Sequence, residues 1–185
     1  MKKFFFILFF LFFNNLNALD IKEVNYYQDK KAWLVNDKNL PIIAIKLAFK
    51  SGSGIDLKGK KGTASLTASL LDEGAGNYSS KEFKKKLADN SIRLNFSVSH
   101  DNFYVDLYTL KENLDLSFQL LDLALTKPIF NLEEVNRIKS NTKLILEESY
   151  KDPDEIGSRL FREILFEGHP YEYDTLGVLE DIDKI

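Results

Sequence analysis

The chain of 185 residues has no cysteine and only two histidines, one methionine, one tryptophan and four prolines. Without cysteine there are no disulfides, no thiolate nucleophile and no thiolate metal ligand. His100 and His169 stand 69 positions apart, so the close-spaced pair that a zinc site or a Ser-His couple needs is missing from the local sequence. No stretch is basic enough to track a phosphate backbone, which argues against nucleic acid as a partner. The glycine-rich segment 51–62 lacks G-x-x-x-x-G-K-[ST], and Ser65, Thr67 and Ser69 have no S-x-x-K context to activate a hydroxyl. Neither a short tandem repeat nor a low-complexity tract follows the N-terminal residues.

What is abundant is phenylalanine, and it is unevenly spread. Seven of the 15 Phe fall in the first 13 residues. Lys2 and Lys3 precede an apolar run from Phe4 to Phe13, and Ala18 offers a small residue before Leu19-Asp20. This is the pattern of a secretory signal peptide, too short to span a bilayer. The reading is a signal peptide over residues 1–18, a single α+β domain over 19–185, and a periplasmic or secreted location. Contact with the membrane is then expected only through the export signal. Loss of Lys2 and Lys3 leaves 23 Lys and Arg against 28 Asp and Glu, a formal charge of −5.

The exported part begins with extended segments at about 21–27 and 32–36, and Pro41 introduces a stronger strand at 42–49. That strand is apolar at nearly every position, which predicts cover on both faces. Residues 63–71 fit both strand and helix spacing, with Ala and Leu favouring helix and Gly74 and Gly76 supplying a stop. Ser79 with Glu82 forms a capping-box pattern before Phe83 and Leu87. Ile92, Leu94, Phe96 and Val98 then alternate with polar residues, turn at His100-Asp101-Asn102, and return through Phe103–Leu110 as a hairpin. Three helices follow, the first ending at Lys127-Pro128. The second starts at Asn131 with Glu134 in the capping-box position, and the third starts at Asp152-Pro153. The order predicts α+β, with helices packed on one side of a largely antiparallel sheet.

Chemically, the residues taken singly read as structural. His100 and Asp101 are adjacent at a strand end and point to opposite sides, so they make a poor base and orienting carboxylate. His169, followed by Pro170, reads as a capping residue. Asp72-Glu73 and Glu147-Glu148 read as solvated carboxylates. No catalytic constellation emerges from these residues alone.

The segments do line up in an order that is known. Ser51-Gly52-Ser53-Gly54, then Gly59-Lys60-Lys61-Gly62-Thr63-Ala64, resembles the lead-in to the active-site helix of the pitrilysin/insulinase-type zinc peptidases. The resemblance continues through Ser80-Lys81-Glu82-Phe83, Asn95–Ser99, Leu125–Phe130, Asp152-Pro153 and Gly168-His169-Pro170-Tyr171. It covers almost the whole exported chain. Where the family carries H-x-x-E-H, this sequence has Ser65-Leu66-Thr67-Ala68-Ser69. Ser65 and Ser69 stand at the zinc-ligand positions and Ala68 at the position of the general base. Glu148, or Glu147, falls near the distal glutamate ligand.

The resemblance implies a non-catalytic subunit with no cofactor of its own, zinc being expected only in a metal-bearing homologous partner. It implies a peptide held as an added strand along Asn95, Phe96 and Ser97, inside a chamber that two such halves complete. It also implies that the chain corresponds to most of the first of two domains. Two other readings remain at this point. One is an active zinc endopeptidase with ligands supplied differently; the other is an independent periplasmic binding or scaffold domain.

Overall fold

The computed structural model describes residues 20–27 and 30–185. The export signal read at 1–18 and the Gln28-Asp29 step lie outside them. The chain divides into two units, Met1–Pro41 and Ile42–Ile185. In the first, β1 (Ile21–Tyr27) and β2 (Lys30–Val35) form an antiparallel pair running from Ile21 opposite Val35 to Tyr27 opposite Lys30.

The second unit is built on a three-stranded antiparallel sheet of β3 (Ile42–Phe49), β6 (Arg93–Val98) and β7 (Phe103–Leu110), with β7 in the centre. The alternation read at 92–110 sets its register. Leu94 pairs with Leu107 and Phe96 with Val105, while Ile45 and Leu47 take the same two partners from β3. All of these side chains share one face, because successive residues of a strand point to opposite sides.

Cover on both faces of β3 is the expectation that fails within this unit. Ile43, Ile45 and Leu47 are half-buried, whereas Ala44, Lys46 and Ala48 are exposed. The run reads as continuous only if two alanines are counted as core residues; the pleat counts them as surface.

Four further elements lie on the route into and out of the sheet: α1 (Thr63–Leu70), β4 (Gly74–Ala75), β5 (Tyr78–Ser79) and α2 (Ser80–Asp89). Residues 63–70 resolve as helix, in keeping with their Ala and Leu content. The Ser79–Glu82 capping box forms, with the Ser79 N–H donating to Glu82 Oε2 at 2.9 Å. Gly74 and Gly76 do more than stop a helix. They frame the β4–β5 hairpin, from which Ala75 bridges to Pro128.

After β7 come α3 (Leu114–Thr126), α4 (Leu132–Ser149), α5 (Pro153–Leu165) and the short α6 (Leu179–Ile182). At the start of α4, Asn131 accepts from the Glu133 N–H at 2.9 Å. Glu134, expected to close a capping box, instead holds Arg137 at 2.7 Å. Phe83 and Leu87 of α2 and Leu120, Leu121 and Ala124 of α3 pack against Leu94, Val105 and Leu107. The architecture is α+β with helices on one face of the antiparallel sheet, as the element order predicts. Phe83 is fully buried in that core, and truncating such a side chain to alanine costs about 3–5 kcal/mol.

Candidate functional site

The helix α1 is seated by residues far from it in sequence. No side chain at its N-cap, Gly62, closes the first turn; the Asp56 carboxylate does so from outside. It accepts from the Gly62 N–H at 2.9 Å and the Ala64 N–H at 3.0 Å. A carboxylate at the positive end of a helix both satisfies free N–H groups and complements the dipole. The buried Asp181 accepts from the Lys61 N–H at 3.0 Å, tying the same loop to α6. Here two backbones meet without side chains between them. Gly62 has φ +103, and a Cβ there would lie 2.4 Å from the Leu176 carbonyl oxygen. Gly177 opposes it, with a hypothetical Cβ 2.1 Å from the Lys61 oxygen. Only glycine fits at either position.

At the other end of α1, the side chain of Glu73 is 5% exposed and gathers three donors. Lys84 Nζ and Ser80 Oγ each donate at 2.6 Å, and Arg137 Nη2 reaches the same carboxylate from α4. Burial pushes the carboxyl pKa up, but the bonds from Lys84, Ser80 and Arg137 outweigh it and hold it lowered to about 2. The neighbouring Asp72 is raised by burial, with the Glu73 charge adding to the effect. Glu73, read from the sequence as surface, is therefore a buried clamp joining α1, α2 and α4.

The helix so carefully seated carries little chemistry. Ser65 is half-buried, Ser69 is exposed, and Ala68 is only 5% exposed. Serine hydroxyls and an alanine methyl do not make the nitrogen, sulfur or carboxylate donor set of a zinc centre. Glu148 lies exposed near the end of α4 and pairs with Lys151 at 2.9 Å. The residue that α4 buries is Leu146. Among the described residues no three His, Asp or Glu side chains come together to hold a metal ion. The residues present do not fit the family's zinc.

The two histidines, distant in sequence, meet across Tyr171. The His100 and His169 rings lie 4.6 and 4.9 Å from the Tyr171 ring. His100 Nε2 is 2.9 Å from the Tyr173 carbonyl oxygen, and His169 Nδ1 accepts from the Tyr171 N–H at 3.2 Å. The Tyr171 hydroxyl donates to Asp101 at 2.7 Å, which raises the phenol pKa. Residues 99–102 also accept from Ser53 and Gly54, through the carbonyls of Ser99 and His100. The cluster thus fastens the β6–β7 turn to two loops, and the His100–Tyr171 contact joins side chains far apart in sequence.

Next to α1 runs β6, an edge strand with β7 as its one neighbour among the described residues. The Ser99 N–H donates to the Asn102 carbonyl at 2.8 Å, which fixes the alternation of the ladder. Arg93, Asn95 and Ser97 then turn their main chain toward β7, while Leu94, Phe96 and Val98 turn theirs outward. Side chains alternate independently: Asn95 and Ser97 are exposed on the open face, and Phe96 is half-buried toward the core, 6.3 Å from Phe103. The three residues singled out from the sequence therefore sit together on one edge. Phe96 offers backbone groups there, and Asn95 and Ser97 offer side chains. Arg93, Lys46, Tyr104 and Tyr108, on the same face, went unmarked in the sequence because their facing depends on strand pairing.

Comparison with known proteins agrees with this fold. The model of the insulinase family (peptidase family M16) matches residues 31–178. The non-peptidase homolog YmxG of Helicobacter pylori is 30% identical over 100% of this chain and 43% of its own length. The zinc protease PqqE of the same organism is 28% identical over 77% of this chain and 32% of its own length. The chain thus spans less than half the length of these relatives. Among solved structures, a peptidase M16 inactive domain from Pseudomonas fluorescens superposes with a TM-score of 0.84 at 22% identity, over 90% of this chain and 41% of that one. Pitrilysin superposes with a TM-score of 0.72 at 16% identity, over 91% of this chain and 18% of that one. The chain belongs to the insulinase family, peptidase family M16.

Proposed function

We propose that this protein is a non-catalytic M16 homologue that binds extended peptide and completes the chamber of a peptidase whose zinc resides in a homologous partner subunit. The observation that carries this reading is the pairing of an open strand edge on β6 with an α1 that lacks metal donors. Peptide binding by strand addition draws on main-chain groups, so it needs none of the side chains that hydrolysis needs. Without a bound metal there is no lowered water pKa, and without a carboxylate at position 68 there is no base to use it. The likeness to a non-peptidase homolog over the whole chain supports the non-catalytic part. The likeness to a zinc protease shows that metal-bearing relatives of this chain exist, as the partnership requires. Action in the periplasm, after cleavage near Ala18, belongs to the same proposal.

Two measurements test it. Metal analysis of the purified protein should give far less than one zinc per chain; stoichiometric zinc that disappears in Glu148→Gln would overturn the non-catalytic reading. Mixing with an H-x-x-E-H homologue from the same source should raise peptide hydrolysis. Activity unchanged by addition of this chain would remove the partnership.

A further inference from the structure

The open face beside β6 has a charge pattern that strand addition alone does not require. Across the sheet, Arg93, Asn95 and Ser97 of β6 stand beside Tyr108, Asp106 and Tyr104 of β7, and these beside Ala44, Lys46 and Ala48 of β3. Lys46 spans Asp106 at 3.1 Å and lies over the Tyr104 ring at 5.0 Å, so the carboxylate on this face is already neutralised. Arg93 lies over the Tyr108 ring, its guanidinium carbon 5.8 Å from the centroid. Among the described residues it forms no ion pair, and it occupies the strand that has no strand paired on its outer side. The face therefore carries one uncompensated positive charge, on its outermost strand.

We propose that this face selects extended peptides carrying an acidic side chain in register with Arg93. The inference rests on the strand-addition reading and gives it a ligand chemistry. A peptide strand added along Leu94, Phe96 and Val98 would place every second side chain on the Arg93–Asn95–Ser97 face. Directly opposed side chains on paired strands lie about 4.5–5.5 Å apart at Cβ, within reach of a carboxylate–guanidinium contact. The intervening side chains fall on the other face, beside Phe96 and Val98, which suit apolar residues. The ligand is thus an alternating apolar and polar segment, with one polar position acidic. Tyr108 braces the guanidinium from below and limits the freedom it gives up on pairing.

Fluorescence anisotropy with short labelled peptides of alternating valine and serine, one central serine replaced by Glu, Gln or Lys, tests the assignment. The purified protein should bind the Glu peptide about fivefold or more tightly than the Lys peptide at low salt, as one favourable cross-strand charge pair allows. Arg93→Gln should flatten that preference and Arg93→Glu should reverse it; Arg93 is exposed, so both variants keep the core intact. Equal affinity for the Glu and Lys peptides, or a preference that survives Arg93→Gln, overturns the acidic assignment and leaves strand addition standing. No binding of any of the three peptides overturns strand addition itself, and the charge preference with it.

Discussion

The helix α1 and the strand β6 are neighbours held with equal care, yet they differ in what they can do. Asp56, Asp181 and Glu73 fix α1 at both ends, and the glycine pair Gly62 and Gly177 lets two backbones close beneath it. All this seats a helix whose side chains at 65, 68 and 69 are two hydroxyls and a methyl, outside the usual donor set of a zinc centre. In β6 the useful groups are backbone N–H and C=O, which any sequence that keeps the ladder also keeps. Catalysis depends on side-chain identity at a few positions; recognition by strand addition depends on pairing geometry. A fold can therefore shed the first while the second stands.

The contrast can be broken at α1 first. Ala68 is buried, so Ala68→Glu should destabilise the protein by about 3 kcal/mol or more, because a carboxyl there has no partner. Ser69→His, on the exposed side of the same helix, should leave the denaturant midpoint nearly unchanged. If both substitutions are tolerated equally, the packing described for α1 is wrong. Placing a carboxylate at 68 would thus demand repacking around the helix.

Glu73→Gln comes next, with an expected loss of about 2 kcal/mol at neutral pH from removing a buried, triply bonded carboxylate. Its sign with pH is defined. The folded-state pKa of about 2 lies below the ordinary 4.5. The contribution is therefore complete above about pH 5 and fades as pH falls toward 2. Denaturant titrations from pH 7 to pH 3 should show wild type and Glu73→Gln converging. A constant gap over that range would contradict the clamp.

Asp56→Ala should cost about 1 kcal/mol, the usual scale of a lost helix cap. In the same variant peptide affinity at β6 should barely change, since Asp56 serves α1 and not the strand edge. Loss of peptide binding there would show that the two regions are not separable.

How much of this was legible beforehand follows the range of the interactions. The β6–β7 hairpin, the Ser79–Glu82 box and the ends of α3 at Lys127-Pro128 are written within a few residues, as local periodicity and capping. The seat of α1 is not. Asp181 reaches Lys61 across 120 positions, and Arg137 reaches Glu73 across 64. No local pattern distinguishes such carboxylates from solvated ones, so Glu73 looked like surface. The exposed face of β3 was hidden because alanine serves core and surface equally. The contacts of His100 and His169 with the one Tyr171 ring needed the loops in place. Asn95, Phe96 and Ser97 stand out in the sequence only through their order among other segments; their edge position is a property of the sheet.

Peptide binding in the presence of a zinc chelator tests the central claim most directly. An alternating valine–serine–glutamate peptide should bind with an affinity indifferent to the chelator. The same peptide N-methylated at the alternate amides that face β6 should lose about tenfold or more, because those N–H groups carry the strand pairing. Equal binding of the methylated peptide, or binding that disappears with the chelator, would contradict recognition at a metal-free strand edge.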